Sequence, residues 1–156
     1  MIPEFFHRYI KKQKNGVVLY PNDLFDQRVQ EEMIRADEYK SYFVYAEIDF
    51  DSIRNALPKD QEEKFWEAVF KSFATKGRGS DVLGLLENES GVGIIMLDST
   101  MDGWDRLVGR IKEFSKNFIT DFGKPLSTIK AFVYPAYRDS KTPAAAQENH
   151  AWKFSL

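Results

Sequence analysis

The clearest pattern in the chain is a pair of short apolar runs joined by a polar segment. Residues 82–86 and 92–97 are apolar, and the five residues between them, 87–91, are small, acidic or Gly. Two such runs around a Gly-containing segment predict a β-hairpin. Because the runs are apolar at nearly every position, they predict strands buried on both faces. Residues 41–50 and 126–134 are rich in β-forming residues and predict two further strands.

Between these strands, apolar residues recur every three or four positions, which is typical of amphipathic helices. One helix is predicted over residues 22–39 with Asn22 as its N-cap. A second begins at Asp60, with Glu63 completing a capping box. A third begins after Ser99 or Thr100 and runs to about residue 122. Residues 1–14 predict a leading helix, either exposed or serving as a connector or dimer helix, since Phe5 and Phe6 would need something to cover them.

From residue 41 the predicted order is βαββαβ, the ferredoxin-like arrangement. The expected fold class is therefore α+β, with an antiparallel central sheet, helices packed on one face, and extra N-terminal helices. A chain of 156 residues predicts a single domain over 1–156. Residues 136–156 are polar with Ala and Pro, and we expect an irregular C-terminal tail there.

Composition excludes several classes of protein. Without cysteine the chain forms no disulfide, thiolate zinc site or cysteine nucleophile, and its two histidines lie near opposite ends. A formal net charge of −2 indicates neither a nucleic-acid partner nor an anionic membrane partner. No apolar run is long enough to span a bilayer, and the N-terminus does not resemble a signal peptide. We therefore expect a cytoplasmic protein without membrane insertion.

Two groups of residues suggest chemistry. Asp49 and Asp51 lie two apart, so on a continuing strand they would face the same way and bind Mg²⁺ together with Glu87 or Glu89. The alternative is structural: an Asp at a strand end starts a turn, and Asp51 with the following Ser caps the segment to residue 57.

The second group is Arg78 and Asp81, with Arg106 and Arg110 on the following helix. An arginine fork fits phosphate or a guanine edge, and an aspartate accepts hydrogen bonds from guanine N–H groups. The alternative is a surface arginine beside an aspartate that begins a strand.

The order of elements and several motifs together resemble a GGDEF domain, the diguanylate cyclase fold, over residues 15–134. The segment GVVLYPNDLF resembles the opening LTGLxNRxxF of the family, and RADEY resembles its RAxRY helix end. AEIDFDSI resembles the DxDxF segment, which places the first metal-binding aspartate on Asp49. Arg78 to Asp81 resembles the inhibitory RxxD motif, and FVYP resembles the last core strand.

The signature of the family lies five residues after RxxD and falls on Glu87, Asn88, Glu89, Ser90 and Gly91. The sequence there is ENESG, so the paired glycines that admit the nucleotide are replaced by side chains. The catalytic glutamate falls on Ser90, unless a longer hairpin shifts Glu89 into that role. The Lys after DxDxF falls on Arg54, a nucleotide-binding Asn falls near Leu57, and the C-terminal ADxAMYxAK helix is missing or rewritten within 142–152.

The resemblance implies a bacterial signalling domain with a degenerate signature, catalytically inactive and without a required cofactor. Mg²⁺ would be bound only with residual nucleotide binding, and Asp49 and Asp51 would then be vestigial ligands. Such a domain could be a receptor for cyclic di-GMP through Arg78, Asp81, Arg106 and Arg110. Two alternatives stay open: a nucleotide-independent protein-interaction or dimerisation module, and an active cyclase using a shifted Glu89.

Overall fold

A short N-terminal segment precedes a series of strands and helices. The structure, a computed structural model, describes residues 2–6, 18–76, 81–116 and 122–136. The strands are β1 (Leu19–Tyr20), β2 (Phe43–Asp49), β3 (Val82–Leu85), β4 (Gly91–Leu97) and β5 (Lys130–Tyr134). The helices are α1 (Asn22–Tyr39), α2 (Phe50–Ala56), α3 (Glu62–Lys76), α4 (Met101–Ser115) and α5 (Gly123–Ser127). Short 3₁₀ turns lie at Lys59–Gln61 and Glu87–Glu89.

Within the described residues the strands form one five-stranded sheet, in the order β1-β3-β4-β2-β5. β2 is antiparallel to β4 and to β5, β3 is antiparallel to β4, and only β1 runs parallel to its neighbour β3. The α+β class with a ferredoxin-like core is therefore confirmed, as is the hairpin of β3 and β4. The short β1 lies at one edge of the sheet.

Both faces of the sheet are covered, because alternate residues of β2 enter two different apolar clusters. Val44, Ala46 and Ile48 point to the larger cluster, which α2, α3, α4 and α5 complete. Phe43 and Tyr45 point to the opposite face, where α1 covers them. The expectation of helices on one face holds for the helices after β2. It is wrong for the whole sheet, because α1 is amphipathic and packs on the other side. None of the described helices combines the length and apolarity needed to cross a bilayer.

Helix α1 is fitted to the hairpin by a notch of two glycines. Gly84 of β3 and Gly93 of β4 are partners across the strands. An added Cβ would lie 2.3 Å from the ring of Phe25 at either position. Phe25 is fully buried, so its ring occupies the space that two side chains would otherwise fill. The first residue of the same helix, Asn22, donates a hydrogen bond from Nδ2 to the carbonyl of Leu85 at 3.2 Å.

The predicted caps of two helices differ from those observed, and one of the two residues expected to cap a third helix holds that position. Pro21 occupies the N-cap position of α1, and Asn22 is already helical. The helix expected to start at Asp60 starts at Glu62, because a 3₁₀ turn precedes it. Thr100 is at the N-cap of α4 without a side-chain cap hydrogen bond. The neighbouring Ser99 donates a hydrogen bond from its hydroxyl to the carbonyl of Leu97 at 3.2 Å.

Two predicted ends in the second half of the chain were also wrong. Helix α4 ends at Ser115, not near residue 122. The last strand begins at Lys130, because Leu126 belongs to the short helix α5, whose Gly and Pro are poor strand residues. Most of the predicted leading helix and, after Ala136, the predicted tail lie outside the described residues.

We expect Gly93→Ala to lower the free energy of unfolding by about 2 kcal/mol, because its Cβ overlaps the Phe25 ring and overpacking a core is costly. In a Phe25→Leu background the same substitution should cost at least ~1 kcal/mol less. Urea denaturation of the four proteins in the cycle measures both values.

Gly109→Ala is the matched control, because its added Cβ would meet no atom within 4 Å apart from its chain neighbours and the backbone of its own helix. Gly109 is inside α4, where Ala is the better helix former, so this variant should gain about 0.5–1 kcal/mol. Equal costs of Gly93→Ala in both backgrounds would show that the notch does not constrain Phe25.

Candidate functional site

The two predicted groups of functional residues lie at opposite ends of the β3–β4 hairpin. Val82 pairs with Ile95 near one end, and Leu85 pairs with Val92 near the other. Asp81 immediately precedes the first pair, and Glu87 follows the second. Six residue steps along an extended chain span roughly 20 Å. The hairpin therefore has a groove at its open end and a separate cavity at its turn.

The groove at the open end has a volume of about 390 Å³. It contains three of the four predicted ligand-binding residues, Asp81, Arg106 and Arg110. Arg78 lies outside the described residues. The groove residues that the sequence did not single out are Tyr42, Met96, Asp98, Ser99, Thr100, Asp102 and Gly103.

Helix α4 supplies the two cations of this groove. Arg106 and Arg110 are four residues apart, so they lie on one face of the helix, and Asp102 lies one turn earlier on that face. The Nε atom of Arg110 is buried and has no hydrogen-bond partner among the described residues. A buried donor without an acceptor costs about 1–3 kcal/mol, so an anion that accepts from it would be favoured.

The corner between β4 and α4 brings a further carboxylate to the groove. Asp98 has a left-handed backbone, with φ of 54°, which Asp tolerates better than most residues. Its N–H donates to the carbonyl of Tyr42 at 3.0 Å, which ties the corner to the start of β2. Sequence reasoning missed Asp98 and Asp102. The available signals were a polar residue just after a strand and an acidic residue four positions before Arg106.

The cavity at the turn has a volume of about 520 Å³ and is mainly acidic. Four of its lining residues are carboxylates and one is a lysine; the charged residues are Asp26, Glu47, Asp49, Glu87 and Lys130. Ser52, Leu86, Ser90 and Thr128 complete its lining. Asp49, Glu87 and Ser90 were predicted from the sequence to lie here. Glu89 is exposed and is absent from the lining.

Asp49 ends β2 and caps the next helix. Its Oδ2 atom accepts hydrogen bonds from the backbone N–H of Ser52 at 2.8 Å and from the Ser52 hydroxyl at 3.0 Å. Asp51 is already helical and pairs with Arg54 at 3.2 Å. The expectation that both aspartates continue along one strand is therefore wrong. The alternative that Asp51 is the cap is wrong as well, because Asp49 has that role.

The turn itself is held by several backbone hydrogen bonds. Leu86 N–H donates to the Gly91 carbonyl at 2.9 Å, and Ser90 N–H donates to the Glu87 carbonyl at 3.2 Å. Asn88 and Glu89 are left-handed, with φ of 58° and 53°. A Cβ on Gly91 would lie 2.2 Å from the carbonyl oxygen of Ile48, so this position accepts only Gly. The segment ENESG thus forms a closed turn with the side chains of Glu87, Asn88, Glu89 and Ser90 exposed.

Glu47 was missed although it lies two residues before Asp49 on the same face of β2. Its Oε2 atom accepts a hydrogen bond of 2.6 Å from the hydroxyl of Tyr45. Burial, followed by the negative charge of Glu47, raises the pKa of Tyr45 far above its ordinary value. The phenol therefore stays protonated and remains a donor to Glu47 at all physiological pH values.

The Mg²⁺ ion that the resemblance implies does not fit these residues. Across the described ranges, no three Asp, Glu or His side chains are grouped closely enough to hold a metal ion. Asp49 and Asp51 belong to different elements, and the position of the catalytic glutamate holds the neutral Ser90.

We expect Asp49→Ala to lower the free energy of unfolding by about 1 kcal/mol, because it removes the N-cap of α2. Asp49→Asn should lower the free energy of unfolding much less, since Asn is an equally good N-cap residue. Asp51→Ala is the neighbouring control, and its exposed ion pair predicts a loss under ~0.5 kcal/mol. Chemical denaturation measures all three values. If the Asn variant is as unstable as the Ala variant, the cap is not what Asp49 contributes.

No protein-family model matches the sequence, and no curated protein matches it. The fold, however, is similar to those of solved structures. A DGC protein from Thermotoga maritima has a TM-score of 0.51 and 16% identity, covering 84% of this chain and 94% of that one. The GGDEF domain of YfiN (TpbB) from Pseudomonas aeruginosa has a TM-score of 0.51 and 19% identity, covering 76% of this chain and 78% of that one.

Diguanylate cyclase SiaD from Pseudomonas aeruginosa, solved with its activator SiaC, has a TM-score of 0.45 and 14% identity over 80% of this chain. This chain spans 48% of the SiaD chain. The Thermotoga and YfiN structures share the five-stranded sheet with helices packed on it, in agreement with the expectation from the sequence. The chain described here has the fold of a GGDEF domain.

Proposed function

We propose that this chain is a catalytically inactive, GGDEF-like regulatory domain that binds cyclic di-GMP in the groove at the open end of the hairpin. The observation that carries the proposal is that Asp81, Arg106 and Arg110 line one groove, although 24 residues of sequence lie between Asp81 and Arg106. The fold similarity to the DGC protein from Thermotoga maritima and to the GGDEF domain of YfiN supports a domain of cyclic di-GMP signalling.

The chemistry of the groove suits the two parts of this ligand. Cyclic di-GMP presents phosphates and guanine edges. Arginine forks bind phosphate or the acceptor edge of guanine, and a carboxylate accepts from guanine N–H groups. The buried Nε of Arg110 lacks an acceptor in the described structure, and a ligand oxygen would supply one.

The balance of charge makes Arg78 important to this proposal. The described groove contains three carboxylates, those of Asp81, Asp98 and Asp102, against two arginines. A doubly negative ligand therefore needs a third cation to be attracted rather than repelled. Arg78 is three residues before Asp81 and is the nearest candidate in the sequence.

The proposal of inactivity rests on the cavity at the turn. Its lining has four carboxylates and one lysine, which disfavours a nucleotide triphosphate. Ser90 cannot replace the metal-binding glutamate of the family, and Glu89 is absent from the lining. No cofactor is needed for the proposed receptor.

An interaction module that binds no nucleotide is the second candidate. Among the residues that the structure describes, five large apolar side chains are markedly exposed, namely Val18, Tyr20, Leu24, Ile34 and Tyr39. Three of them lie around β1 and the start of α1, at one edge of the sheet. Such a surface suits a protein partner or a second copy of the chain.

Calorimetric titration with cyclic di-GMP tests the receptor. We expect binding in the wild-type protein and at least tenfold weaker binding in Arg78→Ala, Asp81→Ala and Arg110→Ala. Arg35→Ala, an exposed arginine on α1 at the other face of the sheet, is the charge-matched control and should bind like wild type.

Absence of heat at high micromolar ligand, or equal affinity in Arg110→Ala, would overturn the receptor proposal. A dimer by light scattering in the same protein would then favour the interaction module.

Incubation with GTP and Mg²⁺ tests inactivity. We expect neither cyclic di-GMP nor pyrophosphate above the level of a blank, because the turn lacks the catalytic carboxylate. Turnover that disappears in Asp49→Ala, while Asp51→Ala keeps it, would show an active cyclase and refute the proposal.

A further inference from the structure

The N-terminal segment, residues 2–6, inserts one aromatic ring into the core beneath the turn. Phe6 is fully buried. Its ring centroid lies 5.3 Å from that of Phe50, 5.0 Å from Trp66 and 5.1 Å from Phe70, and all three contacts are edge-on. We call Phe50, Trp66 and Phe70 the aromatic socket. Phe6 was expected to need another group to cover it, and residues of the same chain cover it.

The segment is attached by its side chains. The backbone N–H of Phe6 donates to the carbonyl of Pro3 at 3.0 Å, a bond within the segment. Among the described residues, no backbone hydrogen bond joins the segment to the sheet or the helices. Ile2 and Phe5 are partly buried against the same core. Withdrawal of the segment would therefore directly break apolar contacts, and it would break no backbone hydrogen bond between the segment and the rest of the described fold.

The socket includes one unsatisfied polar group. The indole Nε1 of Trp66 is buried without a hydrogen-bond partner among the described residues. A buried donor of this kind is unfavourable, so the packed socket is less stable than its apolar contacts alone would make it.

Phe50 connects the socket to the turn. It is the first residue of α2, so its N–H has no partner inside the helix. That N–H donates to the carbonyl of Ser90 at 2.9 Å. The residue before it is Asp49, which lines the turn cavity with Ser90 and Glu87. One residue thus contacts Phe6 with its ring and holds the turn with its backbone.

We propose that the N-terminal segment controls the turn: Phe6 seated in the aromatic socket holds Phe50, and Phe50 holds Ser90 and the shape of the acidic cavity. Withdrawal of Phe6 loosens the Phe50–Ser90 bond and opens the turn. The device requires neither cyclic di-GMP nor the groove, so it stands or falls independently of the proposed receptor.

Amide hydrogen exchange of the full chain tests the device. In Phe6→Ala we expect exchange at the Phe50 N–H to rise at least tenfold more than exchange at Val133, a core residue of β5. Val29→Ala is the matched control, because it removes apolar contacts from the cluster on the opposite face of the sheet. In that variant the exchange rates of the Phe50 and Val133 amides should rise by similar factors.

A Phe6→Leu variant covers the case in which the Ala variant does not fold. Leu fills part of the socket. The Phe50 amide should therefore exchange at least threefold faster than in the wild-type protein, while the exchange rate of the Val133 amide stays within twofold of the wild-type rate. The proposal would be overturned if the exchange rates at Phe50 and Val133 rose equally in the folded Phe6 variant. It would also be overturned if Val29→Ala raised exchange selectively at Phe50.

Discussion

The antiparallel pairing of β2 with β4 is the constraint on which the rest of the molecule depends. Seven residue pairs join the two strands, from Phe43 with Leu97 to Asp49 with Gly91. The last pair brings the end of β2 to the turn of the hairpin, and the first brings Tyr42 to the corner at Asp98. Both sites are therefore placed by one set of backbone hydrogen bonds. The two apolar clusters are separated by the same strands, because alternate residues of β2 and β4 serve opposite faces.

Much of this arrangement could be predicted from the sequence, where local pattern and final structure agree. The hairpin was visible in its two apolar runs, and β2 in its β-forming residues, because both strands are central and must be apolar on both faces. The meeting of Asp81 with Arg106 and Arg110 followed from helical spacing and from the order of elements. These relations depend on residues close in sequence or on a strand order that the βαββαβ pattern fixes.

The features that the sequence did not predict depend on contacts between residues that are far apart along the chain. Asp49 and Asp51 would face the same way only on a continuing strand, but the chain turns into a helix at Phe50, whose ring packs on Phe6 and Trp66. The sequence around residue 50 does not indicate that its ring will contact Trp66, 16 residues later in the chain, or Phe6, 44 residues earlier. The cover of Phe6 was unpredictable for the same reason. Tyr42, Asp98 and Asp102 joined the groove because a strand start, a strand end and a helix start meet there in space.

The glycine notch under Phe25 has a consequence for how the chain reaches this structure. The hydrophobic pattern of β4 cannot distinguish its native alignment from one displaced by two residues, since both keep the same side chains on each face. A displacement that placed Ile95 opposite Gly84 would put a branched side chain where the Phe25 ring must lie. Helix α1 could then not pack against the hairpin with the Phe25 ring in its observed position. Packing of α1, which lies outside the core βαββαβ unit, therefore favours the strand register in which the two glycines are aligned.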